Sequence, residues 1–440
     1  MQASDYLDDI FSYIDQSPTA YHAAANCAAL LHKHGFQRLR ETEDWGVLAP
    51  GSYYLTRNDA SLIAFTLSHD PQTPMPFRMA GAHTDSPGLK IKPTPIHMRY
   101  GYVQMGVEVY GGVLLASWFD RPLSIAGRVS WSGSDGALQC SLIDCRRPLA
   151  IIPSLAIHLD REANDKRSIN KQTGIVPLIA LPSTVDLPDF HAMIRDELAA
   201  RHPEAAQATL PAFDLFLYDP QPPCRVGLHG EFISGPRLDN LLSCHAVMHA
   251  MVQARPSRNR LLVLNDHEEV GSVSASGAQS PFLHSVLERL YPDAVLRRQM
   301  IAGSLFVSVD NAHAVHPNFA AQHDPEHAPQ LNGGPVIKTN ANQRYATNGL
   351  TSALFRRFCD KAGVPCQQFV MRNDLACGST IGPLTAAGIG IPTVDVGVPQ
   401  LAMHSIRETV GHLDGWHLLC ALTAFFVEED KGIRCPEAIL

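Results

Sequence analysis

The stretch Leu261-Leu262-Val263-Leu264-Asn265-Asp266-His267-Glu268-Glu269-Val270-Gly271 decides how this chain is read. Four consecutive apolar residues ahead of a charged string describe a short buried strand. Its end carries two adjacent glutamates, and a buried carboxylate without a counter-charge is strongly disfavoured. A cation is therefore expected there. Consecutive residues in extended backbone point to opposite sides, so one glutamate is expected to face a metal and the other the substrate side. The string is not H-E-x-x-H, because position 271 is Gly, and a zinc-binding helix of that kind is excluded.

Other apolar runs finish in the same way. Residues 77–82 lead into His83-Thr84-Asp85, residues 305–309 into Asp310-Asn311, and residues 391–396 through a loop into His404. Asp239 opens a predicted helix over 238–252. Sites in open α/β sheets gather beyond the carboxyl ends of the strands. Two imidazoles and three carboxylates at such ends suit a first-row divalent cation, Zn or Mn. Singly, each has a plainer explanation: a hydrogen-bonded loop histidine, a turn aspartate at Asp310, or, at Asp239, a side chain answering the helix dipole. Asp85 is read either as an Asx-turn before Pro87 or as the acceptor of the second His83 N–H, fixing the metal-binding tautomer.

Further outward, the pattern gives the architecture. Helical periodicity covers residues 4–35 with a break at Ser17-Pro18-Thr19, and paired strands follow over 53–67. Residues 70–76 read as a proline-rich loop. Residues 93–234 are β-branched and aromatic, with Gly-rich turns at Gly111-Gly112 and at 133–136. From Gly235 onward strands and helices alternate, ending in a helix over 416–429. The expectation is an α/β fold whose mixed sheet is covered by helices on both faces, with a β-rich insertion. Its catalytic domain is split into 1–92 and 235–440, and the insertion covers 93–234.

The 440 residues exceed one ordinary core. A 45% hydrophobic and 18% charged composition is that of a soluble globular chain, and a net charge of −8 speaks against a general nucleic-acid or anionic-membrane surface. Ten scattered cysteines without C-x-x-C suggest a reduced interior. No signal peptide or membrane span is read, so a cytoplasmic protein is expected. The absence of G-x-S-x-G and Walker A strings weakens serine-hydrolase and nucleotide-hydrolase readings.

At ordered strings along nearly the whole chain the sequence resembles the M18 metallo-aminopeptidases, and within them the aspartyl aminopeptidase group. They are 'SPTAYHA' (17–23), 'AGAHTDSPGLKIKP' (80–93), 'SWFDRPL' (117–123), 'LAIHLDRE' (155–162) and 'SGPRLDNL' (234–241). They continue with 'NDHEEVGS' (265–272), 'SVDNAHAVHPN' (308–318), 'GPVIKTNANQRYAT' (334–347), 'MRNDLACGSTIGP' (371–383) and 'PQLAMHSIRE' (399–408).

The resemblance implies two divalent ions, most simply Zn, with Mn or Co also suited. His83 and Asp310 would hold one, Glu269 and His404 the other, with Asp239 bridging. Glu268 would be the general base acting on a metal-activated water, and His267 has no place in the shell. The substrates implied are peptides, cut one N-terminal residue at a time with a preference for Asp or Glu. Lys338 would meet the acidic side chain, and His158 would reach in from a neighbouring subunit. Without the family, Lys338 reads as a surface lysine and His158 as a core histidine on an apolar strand. Arg344, Arg372 and Arg407 are further basic candidates. The resemblance also makes 93–234 a dimerisation domain and the assembly a tetrahedral dodecamer built from dimers. Two alternatives stand beside it: the same peptidase with a broad or neutral preference, and a non-catalytic metal-binding scaffold.

Overall fold

Four parallel strands form the middle of a nine-stranded sheet: Arg260–Asn265, Arg78–His83, Leu305–Val309 and Thr393–Gly397, in that spatial order. Ser61–Leu67 and Val336–Thr339 flank them antiparallel, so the sheet is mixed. The computed structural model describes residues 2–68, 75–133, 136–182, 189–254 and 258–427. The expected loop at 70–76, the turn at 133–136 and the end of the last helix lie wholly or partly outside these residues.

The central strands are buried on both faces, which is why they read as continuous apolar runs. Alternation divides them all the same. Leu262 and Leu264 join Ala80, Val307 and Val394 against the helices Leu238–Gln253, Gly349–Ala362 and Asp414–Val427. Leu261 and Val263 join Met79 and Phe306 against Phe282, Leu287, Met300 and Ile381 on the opposite face. Those last residues lie on helices Phe282–Leu290, Ala294–Ala302 and Ile381–Ile389, the latter two absent from the sequence reading.

A seven-stranded sheet runs from Gly88–Arg99 to Thr209–Tyr218. Thr209–Tyr218 pairs with both Gly88–Arg99 and Pro122–Ser132, which closes six of the strands into a barrel-like ring. Gly88–Arg99 spans the boundary expected at residue 93. Trp118 and Trp131 are buried inside this unit, so core packing accounts for both. A third sheet of five short strands, among them Phe232–Gly235, Pro399–Leu401 and Glu408–Gly411, was not anticipated. Among the described residues, no helix is long and apolar enough to cross a membrane.

Candidate metal centre

The parallel strands deliver the site. Asn265 pairs with His83 across the ladder, so the chain leaving Asn265 turns over the His83 strand end. His267 (φ 62°) and Gly271 (φ 95°) are both left-handed and bracket a short 3₁₀ turn, Glu268–Val270. The two glutamates therefore share one turn and do not alternate along extended backbone, correcting that expectation. The Asp85 carboxylate holds the turn, accepting the backbone N–H of Glu268 and of Glu269 at 3.1 Å each. Tyr110 donates its hydroxyl to the same carboxylate at 2.7 Å.

Two imidazoles face the centre, and each has its tautomer fixed. His83 Nδ1 lies 3.0 Å from the Asp85 carbonyl, and His404 Nδ1 lies 3.1 Å from the Gly112 carbonyl. A carbonyl only accepts, so both Nδ1 atoms carry the proton and both Nε2 lone pairs are free to ligate. The Asp85 carboxylate, expected to be that acceptor, stands farther from Nδ1 at 3.4 Å.

Both Nε2 atoms face carboxylates. His83 Nε2 lies 3.5 Å from Asp239 Oδ1 and 3.5 Å from Asp310 Oδ1. His404 Nε2 lies 3.6 Å from Asp239 Oδ2 and 3.3 Å from Glu269 Oε2. Asp239 thus offers one oxygen to each triad. A tetrahedron with bonds of roughly 2.0–2.2 Å has edges of about 3.3–3.6 Å, so these separations suit cations. Glu268 Oε2, 4.0 Å from His83 Nε2, borders the same space. His267 turns away, with Nδ1 2.9 Å from the Ser274 hydroxyl.

The donor set fits the implied ions on independent grounds. Asp239 Oδ1 and Glu269 Oε1 are buried without a hydrogen-bond partner, an arrangement that proteins avoid unless an ion completes it. The electrostatics agree. Burial and the surrounding carboxylates push Glu268 up to about 8 and drive Glu269 well above its usual range. Despite its burial, His83 is driven well above the ordinary imidazole value by Asp239, Asp310 and Asp85. Against the effect of burial, Lys338 and His83 hold Asp310 well below the carboxylate range. Protons are thus favoured where divalent charge would neutralise the cluster.

The cluster opens into a cleft of about 450 Å³ also lined by Lys338, Arg344, Tyr345 and His313. Lys338 is 2% exposed, so it is no surface lysine. Its Nζ donates to the Asn311 carbonyl at 3.2 Å, stands 3.6 Å from Asp310 Oδ2 and lies 5.1 Å from the Tyr345 ring centroid. Arg372 pairs with Asp374, and Arg407 reaches Asp219 and the Ser234 carbonyl, so neither lines this cleft. His158 is exposed in a turn outside it, not on an apolar strand.

Three contributors escaped the sequence reading. Glu408 accepts the N–H of Asp239 at 2.9 Å and of His404 at 2.7 Å, orienting one ligand of each triad. Tyr110 and Gly112 are the other two, reaching Asp85 and His404 from the β-rich unit, where the sequence shows only aromatic texture and a Gly-rich turn.

Comparison with known proteins accords with this geometry. A model of the family described as aminopeptidase I zinc metalloprotease (M18) matches residues 13–426. A probable M18 family aminopeptidase 2 of Stutzerimonas stutzeri is 51% identical over 417 residues, covering 95% of this chain and 97% of that protein. A chain in the cryo-EM structure of the Ape4 and Nbr1 complex superposes with a TM-score of 0.92 at 39% identity, over 96% of this chain and 86% of that one. The dodecamer structure of S. cerevisiae mApe1 gives 0.82 at 28% identity, over 96% of both chains. Matched along almost its full length, this chain belongs to the M18 family of zinc metallo-aminopeptidases.

Proposed function

We propose that this aminopeptidase removes single N-terminal residues with a preference for Asp or Glu, using two divalent ions, Zn or alternatively Mn or Co. His83, Asp310 and Asp239 would hold one, and Asp239, Glu269 and His404 the other. Ions held there would supply Lewis-acid polarisation of a scissile carbonyl and would bring the pKa of a water toward neutrality. Glu268 then takes the proton of the attacking water and returns it to the departing amine, a transfer that contributes about 10²–10⁴-fold. Its support is that Glu268 borders the centre while the triads His83–Asp239–Asp310 and Asp239–Glu269–His404 form without it; Glu268 also comes within ligand reach of His83 and Glu269, which places its carboxylate beside the ions. Asp85 acts through the turn, fixing where Glu268 and Glu269 point.

The observation that carries the acidic preference is Lys338, a buried ammonium on the cleft wall. An ammonium has three donors, and here two face Asn311 and Asp310, leaving one for an incoming carboxylate. The nearness of Asp310 favours the second reading, a broader preference, because it neutralises part of that charge. Lys338→Met separates the two. The acidic reading predicts that kcat/KM on Asp-terminal peptides falls at least about 10-fold more than on Leu-terminal ones, roughly the effect of losing one charge-assisted hydrogen bond. Equal losses on both would overturn it.

The dodecamer described for the S. cerevisiae relative supports a like assembly here, built from dimers through residues 93–234. Exposed Leu155, Ile157 and Leu159 around His158 support burial of that loop against another copy, with His158 reaching the neighbour's cleft.

A further inference from the structure

Among the described residues, one group of metal-ligating side chains lies outside the cleft: Asp9, His245 and His249. The two histidines are four apart on helix Leu238–Gln253 and project from one face toward helix Ala3–Asp15, which carries Asp9. Each Nε2 lies 2.9 Å from the same oxygen, Asp9 Oδ2. The imidazole rings lie with centroids 4.1 Å apart, tilted 35° to each other. His245 and His249 are 3% and 7% exposed, while the Asp9 side chain stands half open to solvent, giving an ion a way in.

A plain hydrogen-bonded tether between helices would also bring these groups together, with one oxygen accepting two N–H bonds. The convergence of three donor atoms on one point favours a ligand. Their 2.9 Å nitrogen–oxygen separations, which an N–H···O bond also shows, equal the edge for an angle of about 90° between bonds of roughly 2.0–2.1 Å, as in a facial set of two histidines and one carboxylate. In the tether both Nε2 atoms donate an N–H to Asp9 Oδ2; an ion between the three groups would take both Nε2 lone pairs, with the ring protons moved to Nδ1.

We infer that Asp9, His245 and His249 form a second, non-catalytic site for a first-row divalent transition cation, fastening the N-terminal helix to the helix whose first turn bears Asp239. The probe is Ni(II), added to the metal-depleted full-length chain, with bound metal counted by mass spectrometry. The parent should take up one Ni(II) per chain more than either variant. Asp9→Asn, which keeps an acceptor for both N–H groups, and His249→Gln should each take up one fewer, with kcat/KM on peptide unchanged. Equal uptake by parent and both variants would overturn the site and leave the tether alone.

Discussion

Glu408 is the residue on which both metal triads lean, since its two oxygens accept the N–H groups of Asp239 and His404. In Glu408→Gln one oxygen becomes an NH₂ that faces an N–H. Weaker metal binding by about 10–100-fold is expected, as for other groups that orient ligands, and competition with a chelator measures it. Unchanged affinity would mean that the two ligands are held by their other contacts. In the sequence this glutamate was quoted only within 'PQLAMHSIRE', because nothing local distinguishes a carboxylate that binds backbone from one that meets solvent. The proposed ligands were more legible as candidates, each standing beyond the end of a strand or at a helix start. The detail that failed was the geometry of Glu268 and Glu269. Extended backbone was assumed for them, whereas left-handed His267 and Gly271 fold them into one turn.

At the scale of elements, the strand Arg260–Asn265 is held by side chains of both faces, and Leu262 is fully buried among helix-facing residues. Leu262→Ala removes those contacts and leaves a cavity, costing about 2–5 kcal/mol by denaturant titration. A loss below about 1 kcal/mol would mean that the helices collapse into the space. Long apolar or amphipathic elements such as this strand and the helix Gly349–Ala362 were visible because period and length agree. Short ones were not. Val336–Thr339 has four residues and depends on its neighbours for pairing, so Lys338 was open to being read as a surface residue. The strands of the five-stranded sheet are equally short, and two of their pairings join segments far apart in sequence, as with Phe232–Gly235 and Glu408–Gly411.

At the scale of the whole molecule, the centre needs almost the full chain, drawing its proposed ligands from His83 to His404, and is buttressed from the barrel-like unit by Tyr110 and Gly112. The β-rich texture of that middle section was legible, but its closure was not, because Thr209–Tyr218 pairs with Pro122–Ser132 across some eighty residues of chain. The claim at this scale is that converging strand ends build a cation centre to which Glu268 adds only proton transfer. Metal content and peptide hydrolysis, measured on one preparation of Glu268→Gln beside the parent, test it most directly. The expected result is unchanged metal content with kcat lower by about 10²–10⁴-fold. Undiminished turnover, or loss of the bound metal along with turnover, would contradict it.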